Sequence, residues 1–194
     1  MDHAALTRRT NRLSALLDTA RTALSARRTS RREAPRFPAD DTVPQRHLHA
    51  LAVLGAARSV VERGWVQNRW YVLQDPAGRR RSFGPTAMGR LDHTQVVEAC
   101  LVGAVVHAAW QQSPRSEYAN PAIDALWHTL YDGQGPASTD PVGPVAPPPV
   151  RTARVRDLTR WNDRRDRTKE DVLRLLDRSA ARVAAARDPG GALA

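Results

Sequence analysis

Thr94-Gln-Val-Val-Glu-Ala-Cys-Leu-Val-Gly-Ala-Val-Val-His-Ala-Ala-Trp-Gln-Gln112 holds the most apolar run of the chain. Val96, Val97, Ala99, Cys100, Leu101, Val102, Ala104, Val105, Val106, Ala109 and Trp110 cover nearly every direction of a helical wheel. That is the pattern of a helix enclosed by other elements. The stretch therefore predicts one core helix over residues 94–112. Gly103 inside it costs about 1 kcal/mol relative to Ala, so a neighbouring element is expected to approach closely there. Residues 99–106, closed by His107, fall short of the roughly 20 residues that a membrane-spanning helix needs, and no membrane insertion is expected.

Working outward, the fold class is mainly α: a compact helical domain with a short β-hairpin, an N-terminal amphipathic helix and a Pro-rich linker. Upstream, a helix starts near Pro44 after Thr42, carries Leu48, Leu51, Leu54 and Val61, and ends at Gly64 in a left-handed conformation. Trp70-Tyr71-Val72-Leu73, the turn Asp75-Pro76-Ala77-Gly78 and Arg79-Arg80-Arg81-Ser82-Phe83 read as the hairpin. Asn120-Pro121 caps a further helix with Ile123, Leu126, Trp127 and Leu130, and completes a core over residues 42–131. Residues 132–150 hold six prolines and three glycines, the composition of a linker or mobile surface loop. Two helices follow within residues 151–187, one near 153–160 and one opened by a Thr168/Asp171 capping box. The last carries Val172, Leu175, Leu176, Ser179 and Val183 on one face and is expected to dock on the core. Residues 188–194 read as a disordered tail. In residues 1–33, Leu6, Leu13, Leu17 and Leu24 form the stripe of a basic amphipathic helix suited to packing or homodimerisation.

The 194 residues carry a formal charge of +10, which favours polyanionic partners. The excess sits at the two ends. Residues 1–33 have eight Arg against three acids, residues 34–150 balance, and residues 151–187 have eleven Arg and Lys169 against six acids. Arg outnumbers Lys 29 to one. Guanidinium forks suit phosphate, although a GC-rich genome would shift the ratio the same way. Arg27, Arg28, Arg31 and Arg32 are the first candidate phosphate contacts. Arg79, Arg80 and Arg81 are the second, beside Trp70 and Tyr71, which either offer rings for base stacking or face the core.

A single cysteine excludes internal disulfides, and the first residues lack a secretory pattern, so a cytoplasmic location is expected. Cys100 and His107 lie two helical turns apart, about 10.5 Å, too far for a nucleophile and its base. Cys100 therefore reads as a small buried hydrophobe. His47 and His49 point to different sides of a helix with no thiol or acidic cluster beside them, so neither metal nor cofactor is expected. Phosphate-loop, nucleophile-elbow and dinucleotide motifs are missing from the sequence. Trp161-Asn162-Asp163 most simply anchors a turn.

Glu62-Arg63-Gly64-Trp65-Val66-Gln67, Ala99-Cys100-Leu101-Val102-Gly103-Ala104, and Trp161-Asn162-Asp163 followed by Arg167-Thr168-Lys169-Glu170-Asp171-Val172 resemble a family of small uncharacterised actinobacterial proteins with the signatures E-R-G-W-x-Q, C-x-x-G-A and W-N-D…R-T-x-x-x-V. The likeness spans roughly residues 45–185. That family usually has Cys where Val66 stands. The shared positions are Gly64, Trp65, Gln67, Cys100, Gly103, Trp161, Asn162, Asp163, Arg167 and Thr168. The resemblance implies a helical domain of unassigned activity, often encountered with phage, plasmid or other mobile-element genes.

The functional expectation is a nucleic-acid-associated accessory or regulatory protein, more an attachment device than an enzyme. Two alternatives stand beside it: a protein-interaction module dimerising through the leucine stripe, and an enzyme using Asn162, Asp163 and Cys100 with a histidine brought close by folding.

Overall fold

The computed structural model describes residues 42–85, 91–113, 116–131, 140–143 and 146–187. The leucine stripe and Arg27, Arg28, Arg31 and Arg32 lie outside the described residues. The described chain is mainly α, with a small antiparallel sheet, as the sequence predicts.

Helix α1 (Val43–Arg63) opens with Pro44 in its first turn, and the Gln45 side chain returns to accept from the Thr42 amide at 3.0 Å. It buries Ala50, Val53, Leu54, Ala57, Val60 and Val61. The expected left-handed end is corrected at Gly64, whose φ of −171° is extended backbone. What Gly64 supplies is room, since a Cβ there would stand 2.6 Å from the Val97 carbonyl oxygen.

The hairpin forms as β1 (Tyr71–Gln74) and β2 (Arg80–Phe83), with Leu73 opposite Arg81 and Tyr71 opposite Phe83. Asp75 builds the turn: Oδ1 accepts from the amides of Ala77 at 3.0 Å and Arg79 at 2.9 Å. Gly78 takes the left-handed conformation at φ +79°.

The single helix expected over residues 94–112 is two elements. Val96–Ala99 is strand β3, and only Leu101–Gln112 is helix, α2. A short apolar run fits a buried strand and a buried helix equally well. Here β-branched Val96 and Val97 favour the strand, and β3 pairs with β1 to give the order β2-β1-β3. Helix α2 is the core element, with Leu101 to Val105 all buried. Gly103 shows the predicted close approach, because a Cβ there would stand 2.3 Å from the Trp70 carbonyl oxygen.

After a 3-10 turn at Ser116–Ala119 comes α3 (Asn120–Tyr131), burying Ile123 and Leu126. The expected linker over residues 132–150 is structured in its later part. Pro141, Val142 and Gly143 are buried, Asp140 Oδ1 meets His47 Nε2 at 2.9 Å, and Arg46 donates to the Gly143 carbonyl. Helix α4 (Pro148–Asn162) begins ahead of the predicted residue 153, because prolines are tolerated in a first turn. Helix α5 (Lys169–Arg187) has the predicted capping box: Thr168 Oγ1 accepts from the Asp171 amide at 3.2 Å, and Asp171 Oδ2 from the Thr168 amide at 3.0 Å.

The α5 face of Val172, Leu175, Leu176, Ser179 and Val183 is buried, and α5 packs on α1 and α3. Ser179 Oγ in that interface has no hydrogen-bond partner among the described residues. Replacing Ser179 by Ala removes a desolvated, unpaired hydroxyl and adds helix propensity. Urea denaturation of Ser179→Ala is expected to show a gain of about 1 kcal/mol; a loss would mean that the hydroxyl is satisfied in solution.

Candidate functional site

The three segments singled out by the resemblance meet around one carboxamide. Asn162, the buried last residue of α4, accepts through Oδ1 from Trp65 Nε1 at 2.9 Å and from the Leu101 amide at 3.0 Å. Its Nδ2 donates to the Val66 carbonyl at 3.3 Å and to Asp163 Oδ1 at 2.8 Å. These four bonds use the full capacity of the group. One of them caps an amide at the N-terminus of α2, which has no partner within its own helix.

Gln67 braces the same turn by donating from Nε2 to the carbonyls of Asn162 at 2.9 Å and Arg164 at 2.7 Å. Asp163 Oδ1 also accepts from the amide of Asn68, which is held at φ +61°. The Arg167 guanidinium covers the Trp161 ring at 4.1 Å. Trp65 bridges Ala99 as Gly64 and Gly103 admit neighbouring backbone and side chains.

A model for a family of unknown function, DUF6197, matches residues 45–182, more than half of the chain. The chain belongs to that family. No curated protein and no solved structure matches it. The match gives an uncharacterised family over nearly the span that the resemblance covers. In this DUF6197 domain the Asn162 cluster ties the α1–β1 connection, the start of α2 and the α4–α5 turn together.

The cluster contains no activated nucleophile. Cys100 is buried, its Sγ accepts from the Gly103 amide at 3.3 Å, and burial pushes the thiol up to about 12. A thiol so held is not a thiolate near neutrality. His107, the other half of the rejected pair, faces elsewhere: its Nδ1 lies 3.1 Å from His93 Nδ1, its Nε2 lies 3.1 Å from Gln111 Nε2, and His93 stacks on Trp110. Among the described residues no group of three or more His, Cys, Asp and Glu is placed to hold a metal ion, and no helix is long and apolar enough to cross a membrane.

Burial first, then His93 and Arg63, hold the His107 pKa down to about 4 from 6.5. The unfolded chain therefore binds a proton that the folded chain refuses. Stability is full above pH 6.5 and is lost as pH falls through that value towards 4. Asp75, Asp92 and Asp171, held below 3.8 chiefly by their hydrogen bonds, lose their contributions only under more acid conditions. Urea midpoints measured from pH 7 to pH 4.5 should decline for the native sequence and flatten for His107→Gln. An equal decline in both would remove His107 as the cause.

The hairpin arginines are exposed, two of them in ion pairs. Arg79 Nε lies 2.7 Å from Asp75 Oδ2, Arg80 reaches Glu98 Oε1 at 2.5 Å, and Arg81 stands opposite Leu73 near the charge of Asp75. Tyr71 is wholly buried and Trp70 packs half-buried on the core, so the rings proposed for stacking face inward. The aromatic side chain beside the arginines is Phe83.

Sequence reasoning did not single out the arginines of the last two helices, although the charge of residues 151–187 was the available signal. Arg156 and Arg160, four apart on α4, are exposed, and so are Arg164 and Arg165 in the following turn. Arg156 pairs loosely with Asp157 at 3.8 Å, and Arg164 pairs with Asp166 at 3.1 Å. Arg160 and Arg165 have no ion-pair partner among the described residues. Arg154 differs: it lies in a mostly buried pair with Asp124 and over the Trp127 ring.

Proposed function

We propose that this DUF6197 domain associates with nucleic acid as an accessory or regulatory factor, gripping phosphates without reading base sequence. The observation that carries the reading is the run of exposed guanidiniums at Arg156, Arg160, Arg164 and Arg165, with Arg79, Arg80 and Arg81 as a second basic surface. Asp166 beside Arg164 is exposed, and the carboxylates that pair with Arg79 and Arg80 are partly exposed. Ion pairs of that kind are worth about 0–1 kcal/mol, so a phosphate can replace the carboxylate at little cost. Arg27, Arg28, Arg31 and Arg32 are further candidate phosphate contacts in this reading. A role in replication or transcription of an actinobacterial mobile element belongs to this proposal, and so does work inside the cytoplasm.

The enzyme reading finds no support in the buried Cys100 or the bonded Asp163. A retardation assay with duplex DNA on the full chain tests the main reading. Replacing Arg156, Arg160, Arg164 and Arg165 together by Ala should weaken binding at least tenfold and lower the salt slope by about 1 for each phosphate no longer gripped, with unchanged circular dichroism. Unaltered binding would overturn the assignment of this face.

A further inference from the structure

The sheet face that carries Tyr71 into the core continues past the core's edge. There Leu73, Asp75, Arg79, Arg81, Phe83 and Gln95 line a cavity of about 260 Å³. Its floor is apolar and partly aromatic, from Leu73 and Phe83. Its rim is cationic, from Arg79 and Arg81, both exposed. Gln95 donates from Nε2 to Asp92 at 2.8 Å, which leaves its carboxamide oxygen to accept from a ligand. Asp75 accepts from the amides of Ala77 and Arg79 as well as from Arg79 Nε, so the turn amides still answer its charge when the Arg79 guanidinium turns to a phosphate.

The volume lies just below the roughly 300–1,000 Å³ of pockets that take drug-sized molecules. It suits a single ring system, with any charged group left outside on the rim. A flat ring over Phe83 and Leu73 with a phosphate against Arg79 and Arg81 is the chemistry of an unpaired nucleotide.

We infer that this cavity receives an unstacked base of single-stranded nucleic acid, with the adjoining phosphate held by Arg79 and Arg81. The inference rests on the nucleic-acid reading and adds a preference to it: single strands should bind more tightly than a duplex, whose bases cannot turn out without unpairing.

Two measurements on the full chain test it together. In the first, adenosine 5′-monophosphate is titrated while the NMR signals of residues 73, 81, 83 and 95 are followed. In the second, the affinities of a single-stranded oligonucleotide and of a duplex are compared for the native sequence, Arg81→Gln and Phe83→Leu, the last retaining an apolar side chain in the partly buried position. The expected results are shifts at the four positions and a loss of about tenfold in single-strand affinity for each variant; duplex affinity should change less than about twofold for Phe83→Leu, whereas Arg81→Gln, which removes a phosphate contact, lowers both.

Duplex binding without those shifts, or variants that leave single-strand affinity unaltered, would overturn the cavity assignment while leaving the phosphate reading in place. Shifts with the mononucleotide but no binding to any polynucleotide would overturn both readings and leave a site for a free nucleotide. Shifts with a phosphotyrosine peptide and none with the mononucleotide would also overturn it, in favour of a protein partner.

Discussion

Asn162→Ala is expected to be the most damaging single substitution in the described structure, lowering stability by roughly 3–5 kcal/mol. The change strands Trp65 Nε1, the Leu101 amide and the Val66 carbonyl, and frees one bond of Asp163. Each buried group left unpaired costs about 1–3 kcal/mol. Because the partners come from three distant segments, the loss should also loosen the α4–α5 turn from the start of α2. Asn162→Asp separates bonding from packing. It keeps the shape and the oxygen facing Trp65 and Leu101, but it turns two donors into acceptors facing the Val66 carbonyl and the Asp163 carboxylate. It should therefore be destabilised too, and partly rescued as pH falls and the new carboxyl is protonated. Equilibrium denaturation of both variants checks this. A loss under 1 kcal/mol for Asn162→Ala would mean that water replaces the cluster without penalty.

Gly103→Ala carries the second large effect. In an open helix the substitution would stabilise by about 1 kcal/mol. Here the new methyl group would stand 2.3 Å from the Trp70 carbonyl oxygen and 3.3 Å from the Tyr71 ring. The nearer atom is backbone, and that carbonyl also accepts from the Cys100 amide at 3.1 Å. Relief requires α2 and β1 to move apart at the centre of the core, at a net cost of roughly 2–3 kcal/mol. Gly55→Ala, with nothing within 4 Å of its Cβ position, supplies the control and should gain stability. Thermal unfolding that ranks Gly103→Ala at or above the native sequence would mean that the close approach is absent in solution.

Features set by local chemistry were legible in the chain: the Asp75–Gly78 turn, the Thr168/Asp171 box, the buried face of α5, and the crowding at Gly103. Each depends on residues a few positions apart or on one periodicity. Features set by distant partners were not. Val96 to Ala99 became a strand because β1 was there to pair with it, and the apolar run itself reads alike in either state. Gly64 suggested a left-handed cap, but its lack of a side chain is used to clear Val97 and Glu98. Pro141, Val142 and Gly143 looked like linker by composition, yet His47 and Arg46 on α1 hold that segment.

The candidate site divides in the same way. The resemblance gathered Trp65, Gln67, Asn162 and Asp163 without saying that one carboxamide joins three segments, since that needs the fold. The hairpin arginines were legible as a charge run, but the ring beside them is Phe83, because strand alternation and pairing send Tyr71 into the core. The arginines of α4 and its following turn were visible only as a regional excess, and helical geometry sets Arg156 and Arg160 on one exposed face.

The phosphate-binding account is tested most directly by the salt dependence of duplex DNA affinity for the full chain, followed by fluorescence anisotropy. With about five phosphates neutralised, the logarithm of affinity should fall against the logarithm of salt concentration with a slope near −4 to −5. A flat response, or no binding at low salt, would contradict it.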